Sequence, residues 1–524
     1  MKKILFQDTS FRDGFQSVFG ARVLTKDFLP ALEAATHAGI EHIEAGGGAR
    51  FQAPYLYCNE DAFDMMDTFR KTVGKTVRLQ TLARGINVVA LGPQPRDMID
   101  LHAKMFKKHG MTRIRNFDAL NDVNNLIYSG KCIKDAGLEH EVVITMMELP
   151  RGAEGNGAHE PEFYVETLKK ILDAGIPYDS ICFKDSTGTA NPNKVYNTFK
   201  LARKLLGDKV ELRVHSHDTC ANGIRQYVAA IEGGADGICC CRSPLSGGTG
   251  QPDLLAMWHT LKGTDYTLDL DVDKILEANN VLKESLADYE FPPEALAISP
   301  EVIFSPMPGG ALTANTLMMR DTKTFHLYPQ VIKNMAKCVA LGGFASSVTP
   351  VSQYYFQQAY ANTVNLNKGK GEWDTITDGY GDMVLGYLGK TPREPDPEIV
   401  KIASEKRGKP VFKGDPLDKL EPGIPKAKKL LEENKLPVTD ENLFIIGAFD
   451  TKGGNKGLDF LLGKPSIRRE SVPKKKPIVA APAVAVAPAS VAVAPIANTS
   501  VGGAKTVNYG VSVGGKTFSV QVSG

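Results

Sequence analysis

Up to about residue 265 the chain alternates short runs of β-branched and apolar residues with longer stretches whose apolar positions recur at helical spacing. Eight runs read as strands by content: residues 3–7, 42–45, 77–82, 112–117, 142–147, 180–184, 211–215 and 237–241. Helical spacing fills intervals between them, over 27–38, 96–109, 162–174, 193–206 and 222–233. This arithmetic predicts an α/β fold, a (β/α)8 or TIM barrel, whose chemistry belongs at the C-terminal ends of the strands.

Beyond residue 271 the pattern turns mainly helical, over 273–286, 326–342 and 424–434, and the Gly- and Pro-dense Ser305-Pro-Met-Pro-Gly-Gly310 reads as a junction loop. The expected organisation is a barrel domain at 1–270, a C-terminal helical domain at 271–465 that completes the active site, a basic Pro/Ala-rich linker at 466–505, and a β-hairpin at 506–524. The hairpin rests on alternation through Val507, Tyr509, Val511 and Val513, a turn at Gly514-Gly515, and alternation again through Phe518, Val520 and Val522. A lone hairpin is marginal in water, so a packing partner for this one is expected that the pattern does not supply.

Composition narrows the function classes. Of 524 residues, 62 are Lys or Arg and 60 Asp or Glu, a balance of +2 that argues against a nucleic-acid partner. The charge is uneven: after Glu470 the chain has five lysines and no acid, leaving the rest at −3. Eight cysteines without a CxxC pair read as reduced thiols of a cytoplasmic protein. The N-terminus reaches Asp8 too soon for a signal peptide, and the apolar stretch at 478–496 is broken by Pro482, Pro488 and Pro495, so it reads as an extended linker and not a membrane span.

The sharpest chemical signal is His215-Ser-His217 at the end of the seventh strand run. Residues i and i+2 share a strand face, so both imidazoles can meet one metal ion, although a bare HxH also suits two hydrogen-bonded histidines. Lys184 ends the sixth run and Asp13 follows the first, which aims both at the same barrel mouth. A protonated lysine would be repelled by a divalent ion. A carbamate, formed when carbon dioxide adds to the neutral amine, would instead offer an anionic oxygen; the alternative for Lys184 is an ion pair with Asp185.

Six ordered motifs carry a family resemblance: Asp8-Thr-Ser-Phe-Arg-Asp-Gly-Phe-Gln-Ser17, Leu79-Gln-Thr-Leu-Ala-Arg-Gly85, Phe117-Asp-Ala-Leu-Asn-Asp122, Phe183-Lys-Asp185, His215-Ser-His217 and Val348-Thr-Pro-Val-Ser-Gln353. Over residues 5–465 the chain resembles the carboxyltransferase component of biotin-dependent enzymes, the group of pyruvate carboxylase B subunits, oxaloacetate decarboxylase alpha subunits and the keto-acid subunit of transcarboxylase. The resemblance implies that Asp13, carbamylated Lys184, His215 and His217 bind a divalent ion, zinc, manganese or cobalt. It gives Arg12, Gln16 and Arg84 to the oxygens of pyruvate or oxaloacetate, and makes Thr349 a proton shuttle between biotin and the pyruvate methyl carbon. Partners implied are a biotin carrier domain or chain, a biotin carboxylase subunit or else membrane decarboxylase subunits, and a second copy in a homodimer. No Met-Lys-Met biotin acceptor occurs in the sequence, so biotin is expected from a separate chain or domain, with the closing hairpin as the start of a partner-docking or biotinyl-tethering region.

Departures fall near the pocket. Gly14-Phe15 replaces the family's Ala-His, Ala45-Gly-Gly-Gly-Ala49 lacks an aromatic, and no tyrosine follows Arg84 in residues 88–93. The rival within enzymes is the metal-dependent acyl-CoA lyase and 2-isopropylmalate synthase group, which shares the barrel, Arg-Asp-Gly-x-Gln, HxH and a motif like Asp185-Ser-Thr-Gly188. Against it stand Lys184 and the loop Ser246-Gly-Gly-Thr-Gly-Gln-Pro252, which replaces that group's ligand-bearing Gly-Asn loop. A non-enzymatic assembly scaffold is the rival from another class; it would have no use for metal ligands.

Overall fold

A computed structural model describes residues 1–451 and 453–464, together with the backbone of 506–513 and 516–523. Eight parallel strands close in sequence order: β1 (Leu5–Asp8), β2 (His42–Gly47), β3 (Arg78–Ala83), β4 (Arg113–Phe117), β5 (Glu139–Met146), β6 (Ser180–Asp185), β7 (Glu211–Ser216) and β8 (Gly237–Cys240). Closure comes from β1 against β8, with Leu5 opposite Gly237 and Asp8 opposite Cys240. Every expected strand is present, displaced by a few residues at its ends. The outer helices are α1 (Thr25–His37), α2 (Ala62–Val73), α3 (Arg96–Lys108), α4 (Asn124–Asp135), α5 (Pro161–Asp173), α6 (Pro192–Leu206), α7 (Gly223–Glu232) and α8 (Leu254–Thr260).

The remaining helices divide between two cores. Helix α9 (Val272–Ser285) packs on α1 within the barrel's own core, through Ile275, Ala278 and Leu282. Helices α10 (Gly309–Asp321), α11 (Tyr328–Leu341), α12 (Val351–Asn367) and α13 (Pro397–Arg407) form a second core that includes the strand-end residues Leu82, Phe117, Val143 and Met147. The chain then returns: α14 (Gly423–Glu433) and α15 (Asp440–Ala448) bury Leu431 and Phe444 in the barrel core, with the Phe444 ring 5.4 Å from Phe51. Residues 309–407 are thus the segment seated on the C-terminal ends of the strands, while both flanking segments brace the barrel wall.

The hairpin forms where the alternation placed it, as β9 (Thr506–Val513) antiparallel to β10 (Lys516–Ser523), with Val507 opposite Val522. It lies in a separate compact unit, and the linker expected at 466–505 falls outside the described residues.

Charge, more than aliphatic packing, fills the lower barrel. Arg115 pairs with Glu141, and Arg213 donates to Glu211 at 2.6 Å and lies 3.5 Å from Glu141. Burial would raise the Glu141 carboxyl, but Arg115, Arg213 and Arg113 together hold it at about 2. Removing one member of such a set strands a buried charge. Glu141→Ala is expected to cost about 3–5 kcal/mol, read as a lower denaturation midpoint in guanidinium; an unchanged midpoint would show that the arginines find water instead.

Candidate active site and metal centre

The first site residues come from a wide helical turn, Ser10–Gly14, directly after β1. It turns Asp13 over the barrel mouth and leaves it buried, together with Arg12. Lys184 reaches the same point from β6, its Nζ 3.5 Å from Asp13 Oδ2. Its neighbour Asp185 faces the other way and accepts backbone N–H groups of Thr187, Gly188 and Ala190, so the expected alternative, a Lys184–Asp185 ion pair, is not formed.

His215 on β7 and His217 just beyond it bring their Nε2 atoms to 3.0 and 3.5 Å from Asp13 Oδ2. Ligand atoms of Asp13, His215 and His217 all lie within 4.8 Å of one another. Second partners hold the rings. His217 Nδ1 donates to the Thr249 carbonyl at 2.7 Å, which leaves the Nε2 lone pair on the Asp13 side, with Gln251 Nε2 also 3.3 Å from it; a ring fixed through Nδ1 is typical of metal-binding histidines. Arg115 donates to His215 Nδ1 at 2.9 Å, so a neutral His215 carries its proton on Nε2, 3.0 Å from Asp13 Oδ2, and that proton would have to leave before Nε2 binds a metal ion. Ser17 donates to the second oxygen of Asp13 at 3.2 Å.

Protonation states favour a cation here. Burial alone would raise the Asp13 carboxyl, yet Arg12, Lys184 and His217 hold it well below the usual range, so it stays anionic. Burial, with Lys184 beside it, keeps His215 neutral. Burial also lowers the Lys184 ammonium, against the pull of Asp13, and so favours the neutral amine, whose lone pair can attack carbon dioxide. A buried carboxylate, two imidazoles and a buried amine beside them fit a divalent ion.

The arginines differ in how they are neutralised. Arg12 lies 2.9 Å from Asp13 and 2.6 Å from Glu44. Arg84, at the end of β3, is equally buried but donates only to the carbonyls of Val89 and Ala90, at 2.7 and 3.0 Å, and its Nε has no partner. Lacking a carboxylate among the described residues, it is depressed by burial to about 10. Buried charges are normally paired; an anionic ligand is the missing partner.

Thr349 arrives from the helical segment. Its loop is fastened to the barrel by Ser346, whose N–H donates to the Ala119 carbonyl at 2.8 Å and whose hydroxyl lies 2.7 Å from that of Thr145. One pocket of about 320 Å³ is lined by Arg12, Asp13, Gln16, Arg84, Lys184, His217 and Thr349. His215 lies beneath it and reaches it through Asp13. The structure therefore gathers all eight residues expected from sequence at one place.

The departures resolve differently. Phe15 points into the aromatic cluster of Phe11 and Phe28, away from the pocket, and a Cβ at Gly14 would approach Cys241 Sγ to 3.0 Å, so the Gly-Phe pair is a packing solution. Gly47, at φ +87°, runs so close to β3 that a Cβ would meet the Leu82 carbonyl at 2.2 Å. Glu44, Arg115 and Thr249 are site residues that the six motifs do not mark out, and Ser17 closes the first motif without a role assigned to it there. Only the period-2 alternation within residues 113–117, which puts Arg113 and Arg115 on one face, could have flagged an inward charge.

Comparison with known proteins agrees with this architecture. Residues 302–461 match a family model described as a conserved carboxylase domain, and residues 116–282 match one described as HMGL-like. The chain is 30% identical over 475 residues to the pyruvate carboxylase B subunit of Methanocaldococcus jannaschii, covering 90% of this chain and 79% of that one. It is 29% identical over 418 residues to the methylmalonyl-CoA carboxyltransferase 5S subunit of Propionibacterium freudenreichii subsp. shermanii, covering 80% of each. The carboxyl transferase domain of Rhizobium etli pyruvate carboxylase, solved with pyruvate and biocytin, superposes with a TM-score of 0.78 at 24% identity, over 90% of this chain and 79% of that one, and shares the fold. The chain belongs to the family of pyruvate carboxylase B subunits and related biotin-dependent carboxyltransferases.

Proposed function

We propose that the protein moves a carboxyl group between carboxybiotin and pyruvate, forming oxaloacetate, and that it works as the B subunit of a two-component pyruvate carboxylase. The observation that carries this reading is Arg84, a buried guanidinium without an acidic partner, in the pocket that also holds Asp13, Lys184, His217 and Thr349. The substrate carboxylate satisfies Arg84, and Arg12 with Gln16 orients the keto oxygen. Thr349 takes a proton from the methyl carbon and passes it to the ureido nitrogen of biotin, as the nitrogen–carboxyl bond breaks and carbon dioxide leaves. The enolate carbon then attacks that carbon dioxide, so one proton and one carboxyl group exchange places. A divalent ion bound by Asp13, carbamylated Lys184, His215 and His217 would supply positive charge beside the developing oxyanion.

Biotin comes from a carrier, charged by a biotin carboxylase partner. The name of the Methanocaldococcus relative supports this direction. The free thiols suit a cytoplasmic setting, and a homodimer is the assembly we expect. The direct test is biotin-stimulated decarboxylation of oxaloacetate by purified protein, with co-purification of partners. Release of pyruvate and recovery of a soluble biotin carboxylase support the reading; an inert protein, or recovery of an integral membrane subunit, refutes part or all of it.

The carbamate has its own test. Lys184→Ala is expected to lower turnover about a hundredfold or more, as loss of a metal-supporting group does, with partial recovery on adding short carboxylic acids. Intact-mass or carbon-13 measurements under bicarbonate that find only a free amine at Lys184 would defeat the assignment.

A further inference from the structure

The substrate arginine sits in a loop that has no acid to hold it. Arg84 N donates to the Val88 carbonyl at 2.9 Å, its guanidinium donates back to Val89 and Ala90, and Val88 is held at φ +44°, a conformation costly for a β-branched residue. The loop closes on itself through carbonyl oxygens, so whatever fixes those carbonyls fixes the guanidinium. At its far end the Leu91 carbonyl accepts from Asn87 Nδ2 at 3.2 Å and from one group outside the loop, the hydroxyl of Tyr354.

Tyr354 stands on α12, five residues after Thr349, and is buried. Its ring is backed by Gly379, where an added Cβ would lie 2.0 Å from ring carbon Cδ1, so the glycine makes room for the tyrosine. Residues 88–93 contain no tyrosine; the hydroxyl at this loop is delivered instead from the helical segment, on the helix that begins beside Thr349.

We infer that Tyr354 is a positioning residue for the carboxyl transfer: its hydrogen bond to the Leu91 carbonyl sets the Arg84 loop and ties the substrate-carboxylate site to the helix that follows the proton carrier. The inference concerns how the substrate is held and rests on the carboxyltransferase reading for its kinetic consequence, but not for its structural one. Tyr354 is absent from the lining of the pocket that holds Arg84, Asp13, Lys184 and His217, and it acts through Arg84.

The test is Tyr354→Phe, which keeps the ring against Gly379 and removes only the hydroxyl. In substrate-free protein, hydrogen–deuterium exchange across residues 84–92 is expected to quicken about tenfold while the barrel strands stay unchanged, the effect of about one lost hydrogen bond. In steady-state decarboxylation of oxaloacetate, KM is expected to rise about five- to tenfold with kcat within twofold, the pattern of lost uniform binding. Gly379→Ala, which crowds the ring and leaves the hydroxyl, should shift exchange and KM in the same direction. Unchanged exchange at 84–92 in Tyr354→Phe overturns the inference whatever the enzyme's substrate proves to be. Quickened exchange with an unmoved KM, or a loss confined to kcat, overturns the positioning role. A wild type without decarboxylase activity refutes the functional reading, while the exchange result still decides the tie.

Discussion

His217→Ala is expected to strip the protein of its divalent ion and to lower carboxyl transfer by about a hundredfold or more, the scale set by disturbing the support of metal ligands elsewhere. The fold should survive. The ring is buried, but its loss removes one contact with Asp13, one bond to the Thr249 carbonyl and the approach of the Gln251 amide, and the barrel closes through β1 and β8 without it. Elemental analysis on purified protein reads the metal, and the far-ultraviolet spectrum reads the fold. Full metal occupancy in the folded variant would remove His217 from the ligand set and leave the lone pair facing Asp13 unexplained. Thr249→Ala is the contrasting substitution: the acceptor is its backbone carbonyl, so metal content should hold.

Part of the site is legible in the sequence because His215, His217 and Lys184 sit at positions that strand geometry fixes, whereas Arg12, Gln16, Arg84 and Thr349 are marked only by the family resemblance. The spacing of His215 and His217 and the placing of Lys184 at a strand end need only the period of two. The loop Ser246 to Pro252 shows where that logic stops. In sequence it reads only as the replacement for another group's ligand loop, whereas its Thr249 carbonyl and Gln251 amide both abut His217. A backbone carbonyl has no signature in sequence. Arg115 and Glu141 are hidden for a related reason, since charges inside a strand read as solvent-facing unless one knows that the barrel interior pairs them. The helical segments show in their spacing, but nothing in spacing says that residues 423–448 return to the barrel wall; Phe444 reveals it by packing on Phe51.

The two family matches divide along the same line as the rival readings. The HMGL-like match covers part of the barrel, residues 116–282, the part that includes His215 and His217. The conserved carboxylase match covers 302–461, the segment that brings Thr349. On the proposed reading the barrel would furnish the anion and metal chemistry, and Thr349 over its mouth would be the group that distinguishes a carboxyltransferase. In this chain Thr349 sits there with Gln353 beside it in the same pocket, held by a loop pinned through Ser346 and Ser347.

Thr349→Ala is accordingly the substitution that should separate the chemistry from everything else. A hydroxyl can accept a proton from carbon and donate one to nitrogen without being left charged, and a positioned proton carrier contributes about a hundredfold to ten-thousandfold. Carboxyl transfer and biotin-stimulated decarboxylation should fall by that order in the alanine variant. Metal content and melting temperature should stay near wild type, because Thr349 is only partly buried and its hydroxyl makes no hydrogen bond among the described residues. Thr349→Ser, which restores a hydroxyl with one methyl fewer, should recover a substantial part of the rate. The substrate sites predict a further asymmetry: oxamate, a non-reacting analogue of pyruvate, should bind Thr349→Ala as tightly as wild type, since Arg84 and Arg12 hold its carboxylate and carbonyl. Near-normal decarboxylation in the alanine variant would mean that another group moves the proton. Gln353 could not replace it, since a neutral amide neither takes a proton from carbon nor gives one up near neutral pH, which would leave Lys184 across the pocket as the group to substitute next.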